Sequence, residues 1–195
     1  MNALTPRTGQ PDDAPAVAAL HADRIGEGFL VTLGPRFLRR LYRRIALSPT
    51  AVLLVADSGE RIAGFVAAAT STRRLYGEFL ARDGLPAGLA AAPAVLRAPR
   101  RVWETLRYGN EHDDDLPPAE ILSIAVAADA EGRGIGGALL SGAQQELRQL
   151  GAPQARVVTA VGNEAAIAMY ERAGFQRRNR TEVHAGVPQE VLVWP

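Results

Sequence analysis

The chain has 195 residues, 47% of them hydrophobic and 22% charged, with a formal net charge of +1 at pH 7. That length suits one domain, or one domain with a large insertion, and the near-balance of charge gives no bulk drive towards nucleic acid or a membrane surface. Cysteine is absent and all 22 basic side chains are arginine, which excludes disulfides, a thiolate nucleophile, a cysteine metal site, a Schiff-base lysine and a P-loop lysine.

Residues 3–9 read as a short first strand. "DDAPAVAALHADRI" follows as a helix, with Asp12 or Asp13 as cap, Pro15 early, and Val17, Leu20 and Ile25 as its apolar face. "GPRFLRRLYRRIALS" reads as a second helix that buries Phe37, Leu38, Leu41, Tyr42 and Ile45 and leaves arginines 39, 40, 43 and 44 in solvent. "AVLLVAD", "SGE" and "RIAGFVAAATS" read as strand, tight turn and strand. Residues 72–118 are less regular: 74–82 and 100–109 read as helical, with an alanine- and proline-containing piece between them. This stretch reads as a helical insertion or lid, before the fourth strand, within a single domain that spans 1–195.

"AEILSIAVA" then reads as a strand, Ile135–Leu150 as a helix, "QARVVTAV" as a strand and Glu164–Ala173 as a short helix stopped by Gly174. "FQRRNRTEV" and "QEVLVW" close the chain as two strands. The strand–helix–strand unit over 119–161 makes two parallel strands, whereas the hairpins elsewhere are antiparallel. The expected class is α/β: a mixed, mostly antiparallel sheet with helices on both faces.

His21, His112 and His184 have no metal-ligand spacing, so no metal is expected. The N-terminal stretch lacks an apolar signal core, and no run approaches the roughly 20 apolar residues that span a bilayer. The expectation is a soluble, cytoplasmic protein that binds neither nucleic acid nor membrane.

The chemistry concentrates in "DAEGRGIGGALL", where Gly132, Gly134, Gly136 and Gly137 stand at the start of a helix. A helix N-terminus offers unpaired N–H groups and positive partial charge, and glycines let an anion approach the backbone closely. Arg133 adds a cation, and the set suits a phosphate or pyrophosphate. The letters Gly132-x-Gly134-x-x-Gly137 also fit the dinucleotide fingerprint. However, the preceding strand ends several residues earlier, too little chain follows for a full dinucleotide fold, and no acidic residue stands at the ribose position. A second stretch, "VGNEAAIAMYERAGF", places Asn163 at a helix N-cap and Tyr170 on the helix it opens.

Together "ILSIAVAADAEGRGIGGALL" and "NEAAIAMYERAGF" resemble the two coenzyme A motifs of the GNAT family of N-acetyltransferases, over about 119–175. The resemblance implies the acyl-CoA N-acyltransferase fold and acetyl-CoA as acyl donor. It implies that the backbone amides of Arg133, Gly134, Ile135, Gly136 and Gly137 hold the pyrophosphate. The main chain of Ile124, Ala125 and Val126 would pair with the pantetheine arm, the Val126 amide facing the thioester carbonyl. Asn163 would contact the pantetheine side and Tyr170 would protonate the leaving thiolate. The family usually has Gln or Arg where Glu131 stands. A carboxylate beside a pyrophosphate is unfavourable unless it turns away or pairs with Arg133, which leaves a non-catalytic acyl-CoA-binding module as the alternative.

Transfer to an amine needs a general base, and Glu120, on the strand before the glycine loop, is the candidate, with Ser123 assisting through a water. With no cysteine, direct transfer in a ternary complex is expected. The resemblance implies that the acceptor, a primary amine of a small molecule or a peptide N-terminus, is lined by residues from 24–34, 72–118 and the end near His184. Glu27, Phe29, Tyr76, Trp103 and Tyr108 are candidates there. A homodimer is compatible with the sequence.

Overall fold

The computed structural model describes residues 4–25, 29–97, 116–182 and 188–195. In chain order the elements are β1 (Pro6–Thr8), α1 (Ala14–Arg24), α2 (Phe29–Thr32), α3 (Pro35–Leu47), β2 (Ala51–Asp57), β3 (Ile62–Ala69), α4 (Thr72–Arg97), β4 (Glu120–Val126), α5 (Ile135–Gln149), β5 (Ala155–Ala160), α6 (Glu164–Arg172), β6 (Gln176–Glu182) and β7 (Pro188–Trp194).

The strands form one seven-stranded sheet in the order β1-β2-β3-β4-β5-β7-β6, in which only β4 and β5 run parallel. Strand chemistry sorts the positions. β2 and β3 read as nearly continuous apolar runs and are buried on both faces, as strands flanked by helices must be. β6 lies at a sheet edge, where Arg177 and Arg178 discourage pairing with another chain.

Each face has its own core. Val66, Ala68 and Ile121 pack with Ile135, Leu139, Leu140 and Leu147 of α5 and with Ile167 and Tyr170 of α6. On the other face Leu53, Val55, Phe65 and Ala67 pack with Ala14, Val17 and Ala18 of α1, with Leu38, Leu41, Tyr42 and Ile45 of α3, and with Leu75 and Phe79 of α4. The mixed sheet with helices on both faces therefore matches the expectation.

Local details differ. α1 buries Ala14, Val17, Ala18 and His21, and Leu20 and Ile25, the latter just past the helix end, pack partly buried against the core. Asp13 caps no N–H of α1; its carboxylate accepts from Gln10 N–H at 2.7 Å and from Arg7. Arg44 is not a solvated side chain, since its Nε donates to Asp83 at 2.7 Å. Leu150 is 42% exposed at the C-cap of α5, so the buried stripe is Ile135, Leu139, Leu140, Ala143 and Leu147. The alanine- and proline-containing piece is also helical: α4 runs unbroken to Arg97. Alanine is the strongest helix former, and its density there outweighs Pro86 and Pro93. The helix expected over 100–109 lies outside the described residues. Among the described residues no helix is long and apolar enough to cross a membrane.

Candidate active site

Two departures from regular structure build the site. The first is in β4. Ala67 of β3 pairs with Ser123 and Ala68 pairs with Ile121, so Leu122 is an extra residue that bulges the strand. Bulges bend a strand and end pairing. β4 and β5 pair only at Glu120↔Arg156 and Ile121↔Val157, although β4 continues to Val126 and β5 to Ala160. From Ser123 to Val126 the β5-facing backbone groups therefore have no ladder partner among the described residues. The strand edge that contains Ile124, Ala125 and Val126 is open.

The second departure is the turn into α5. Gly134 is its N-cap, at φ 77° and ψ 2°, a left-handed conformation that glycine adopts without steric cost. Ala138 N–H returns to Gly134 O at 3.0 Å. The N–H groups from Gly132 through Gly137, Arg133 and Ile135 among them, find no protein acceptor among the described residues. The two departures meet at Gly136, where a Cβ would lie 2.9 Å from Met169 Sδ and 3.8 Å from Val126 Cγ2. A larger residue there would have to displace the Met169 side chain.

Charges around the turn are paired away from it. Glu131 forms an ion pair with Arg24 at the end of α1, and Asp129 with Arg61. Arg133 donates to the Asp129 carbonyl at 2.9 Å. Glu131 thus takes an arginine from another element instead of Arg133, and its charge is answered.

α6 packs on the same face of the sheet as α5, with Met169 against the start of α5. Asn163 is the N-cap of α6 and accepts from Ala166 N–H at 3.3 Å. Tyr170 packs on Phe175, with ring centroids 5.6 Å apart, and is 5% exposed. Its hydroxyl has no hydrogen-bond partner among the described residues, and burial pushes its pKa up. It is a phenol that stays protonated.

Glu120 lies on the opposite face of the sheet from Tyr170, beside Ala69 of the α1/α3/α4 side. It is half-buried and accepts from Arg156 Nε at 2.9 Å. Burial raises its pKa, and Arg156 works against that rise. Tyr76 of α4 is 40% exposed. Desolvation of its phenol, and then the Glu120 charge, push its pKa up to about 12.

Near Glu120 the structure brings together residues that the sequence did not connect. His21 Nδ1 lies 2.5 Å from Tyr42 Oη, which lies 2.9 Å from Ser123 Oγ. His21 is 3% exposed and Tyr42 1%. Burial lowers the His21 pKa from 6.5 to about 4. An unfolded chain therefore takes up the His21 proton first as pH falls. Stability from this group is complete above about pH 6.5 and is lost as pH drops towards 4, by at most about 3 kcal/mol. Thermal unfolding against pH should show this slope, and His21→Gln should remove it. Of the other candidates, Glu27, Trp103, Tyr108 and His184 lie outside the described residues; Phe29 opens α2.

The sequence matches the Acetyltransferase (GNAT) family over residues 22–175, and the chain belongs to that family. A 63-residue stretch is 38% identical to the mycothiol acetyltransferase of Propionibacterium freudenreichii subsp. shermanii, covering 32% of this chain and 20% of that protein. The chain thus spans about a fifth of the length of the curated relatives it matches. Among solved structures, the ribosomal-protein-alanine N-acetyltransferase of Brucella melitensis superposes with a TM-score of 0.64 at 15% identity, covering 97% of this chain and 98% of that one. The phosphinothricin acetyltransferase of Sinorhizobium meliloti, solved with acetyl-CoA, gives 0.64 at 16% identity, covering 98% and 88%. At these identities the likeness is one of fold.

Proposed function

We propose that this chain is an acetyl-CoA-dependent N-acetyltransferase that moves an acetyl group to a primary amine, of a small molecule or a peptide N-terminus, by direct transfer in a ternary complex. A cytoplasmic setting belongs to the same reading. The observation that carries it is the meeting, at Gly136, of an open strand edge with a run of unpartnered helix-start N–H groups. An extended arm that ends in a pyrophosphate needs both.

Acetyl-CoA would supply an activated acetyl group and a thiolate leaving group. The N–H groups of Arg133, Gly134, Ile135, Gly136 and Gly137 would hold its pyrophosphate. The open edge at Ile124, Ala125 and Val126 would pair with the pantetheine arm, and the Val126 N–H would stabilise negative charge on the carbonyl oxygen. Asn163 flanks that arm from the start of α6. Tyr170, kept protonated, delivers a proton to the leaving sulfur from one face of the sheet, while Glu120 takes one from the amine on the other. Two proton transfers on opposite faces suit a direct displacement.

Glu120 acts only as the carboxylate, so activity falls as pH drops through its pKa. Burial places that limb above the ordinary glutamate value of 4.5. Glu120→Gln should flatten the limb and lower kcat by about 10²-fold; an unchanged pH–rate profile would assign the base elsewhere. The reading as a whole is tested by presenting acetyl-CoA with a panel of amines and peptides and following free CoA with a thiol reagent. A cysteine-free protein consumes none of that reagent. Amine-dependent release is expected. If acetyl-CoA binds and no amine is acetylated, the chain is an acyl-CoA-binding module.

A further inference from the structure

The hydrogen-bonded trio of His21, Tyr42 and Ser123 takes no part in the mechanism above, yet it ends at the open stretch of β4. We propose that these residues form a one-way hydrogen-bond chain that makes the Ser123 hydroxyl an acceptor-only group, and that this hydroxyl receives an N–H of the incoming amine. The inference rests on the acetyltransferase reading for its substrate and on geometry for its direction.

Direction follows from donor and acceptor strength. A phenol is a far stronger donor than a neutral imidazole N–H, and an imidazole nitrogen is a far better acceptor than a phenol oxygen. The 2.5 Å separation between His21 Nδ1 and Tyr42 Oη lies at the short end for such contacts and suits the strong pairing. Tyr42 therefore donates to Nδ1. Having spent its one proton, Tyr42 can only accept from Ser123, across 2.9 Å. Ser123 in turn spends its one proton on Tyr42. Its remaining lone pairs meet no donor among the described residues.

The direction would reverse if His21 carried Nδ1–H, as the imidazolium or as the other neutral tautomer. The donor and acceptor strengths above oppose the second, and the surroundings of His21 oppose the first. Phe65 of β3 stacks on the imidazole, with centroids 6.3 Å apart and planes at 26°. Tyr42 of α3 and Ser123 of β4 are neutral. On α1 itself, Asp23 is exposed and Arg24 is engaged with Glu131. Tyr76 of α4 bears on Tyr42, and Glu120 of β4 bears on Tyr76, not on His21. The chain thus keeps one direction across the range in which an amine substrate titrates.

Ser123 is also well placed. It is partly exposed, lies just past the bulge and the last β4–β5 pair, and shares a face with Glu120. In this account Ser123 touches the substrate, and Tyr42 and His21 are positioning residues. A purely structural tie between α1, α3 and β4 would use the same bonds, so the test needs a readout that such a tie does not move.

The test is a double-mutant cycle with Ser123→Ala, Tyr42→Phe and the pair, reading kcat/KM for the amine beside the acetyl-CoA Kd. Tyr42→Phe keeps the ring that packs edge-on to Phe65 at 5.3 Å. Each single change should lower kcat/KM about 10-fold, the worth of one hydrogen bond, and the pair should cost no more than either alone. The acetyl-CoA Kd should stay within about twofold, because neither residue lines the donor side. Full activity in Ser123→Ala, or losses that multiply in the pair, would overturn the proposal. Independently of activity, the ¹⁵N shifts of His21 in the full chain should show Nε2 protonated and Nδ1 bare from pH 5 to 8. A wild-type chain that transfers nothing would sink the enzyme reading and this role for Ser123 together. Transfer by a protein whose His21 carries Nδ1–H would sink the one-way chain alone.

Discussion

Tyr170→Phe is expected to lower the rate of acetyl transfer by about 10²- to 10³-fold, the range for loss of a general acid, with acetyl-CoA affinity almost unchanged. The ring would stay against Phe175 and only the oxygen would go. That oxygen is buried without a partner among the described residues. An unsatisfied buried hydroxyl costs on the order of 1–3 kcal/mol, so the variant should be as stable as the parent or slightly more so. A polar group retained in a core against stability points to a task elsewhere. Single-turnover rates beside thermal unfolding would check this. A variant that transfers at the parental rate would remove Tyr170 from the mechanism.

Gly137→Asp is expected to act in opposite directions on the free protein and on binding. A Cβ at Gly137 would meet nothing within 4 Å, so the fold has room for the side chain. Position 137 lies in the first turn of α5. There aspartate has better helix propensity than glycine and complements the helix dipole, which should stabilise the free protein by about 0.5–1 kcal/mol. The same carboxylate would sit where the pyrophosphate is proposed to bind. Two like charges about 4 Å apart near a surface repel by about 4 kcal/mol, so acetyl-CoA affinity should fall by at least about 100-fold. Gly137→Ala, uncharged, should lose far less. Calorimetric titration beside thermal unfolding distinguishes the two effects, and an aspartate variant that binds within about threefold of the parent would place the anion elsewhere.

Local signals carried much of the fold. β2 and β3 are apolar runs around a Ser58-Gly59 turn, and β4, α5 and β5 follow one another with glycine and proline punctuation, so each was legible within a short window. The glycine loop was legible for the same reason: its N–H groups belong to consecutive residues. The open edge of β4 was harder, because the Leu122 bulge is a matter of register against β3 and no residue type announces it. The chain from His21 to Ser123 was out of reach. Its members are separated by 21 and 81 positions, and each alone reads as ordinary: a helix histidine, a core tyrosine, a strand serine. Arg156 beside Glu120, 36 positions away, was hidden in the same way. α4 went wrong for a different reason. Two prolines suggested a break, and the summed propensity of the alanines around them prevailed.

The most direct measurement is a calorimetric titration of the purified chain with acetyl-CoA, with NAD as the control ligand. The account predicts saturable one-to-one binding of acetyl-CoA and none of NAD, with affinity lost in Gly137→Asp and kept in Tyr170→Phe. Absence of acetyl-CoA binding would contradict it, because the unpartnered N–H run at α5 and the open edge of β4 would then have no ligand of the kind their geometry fits.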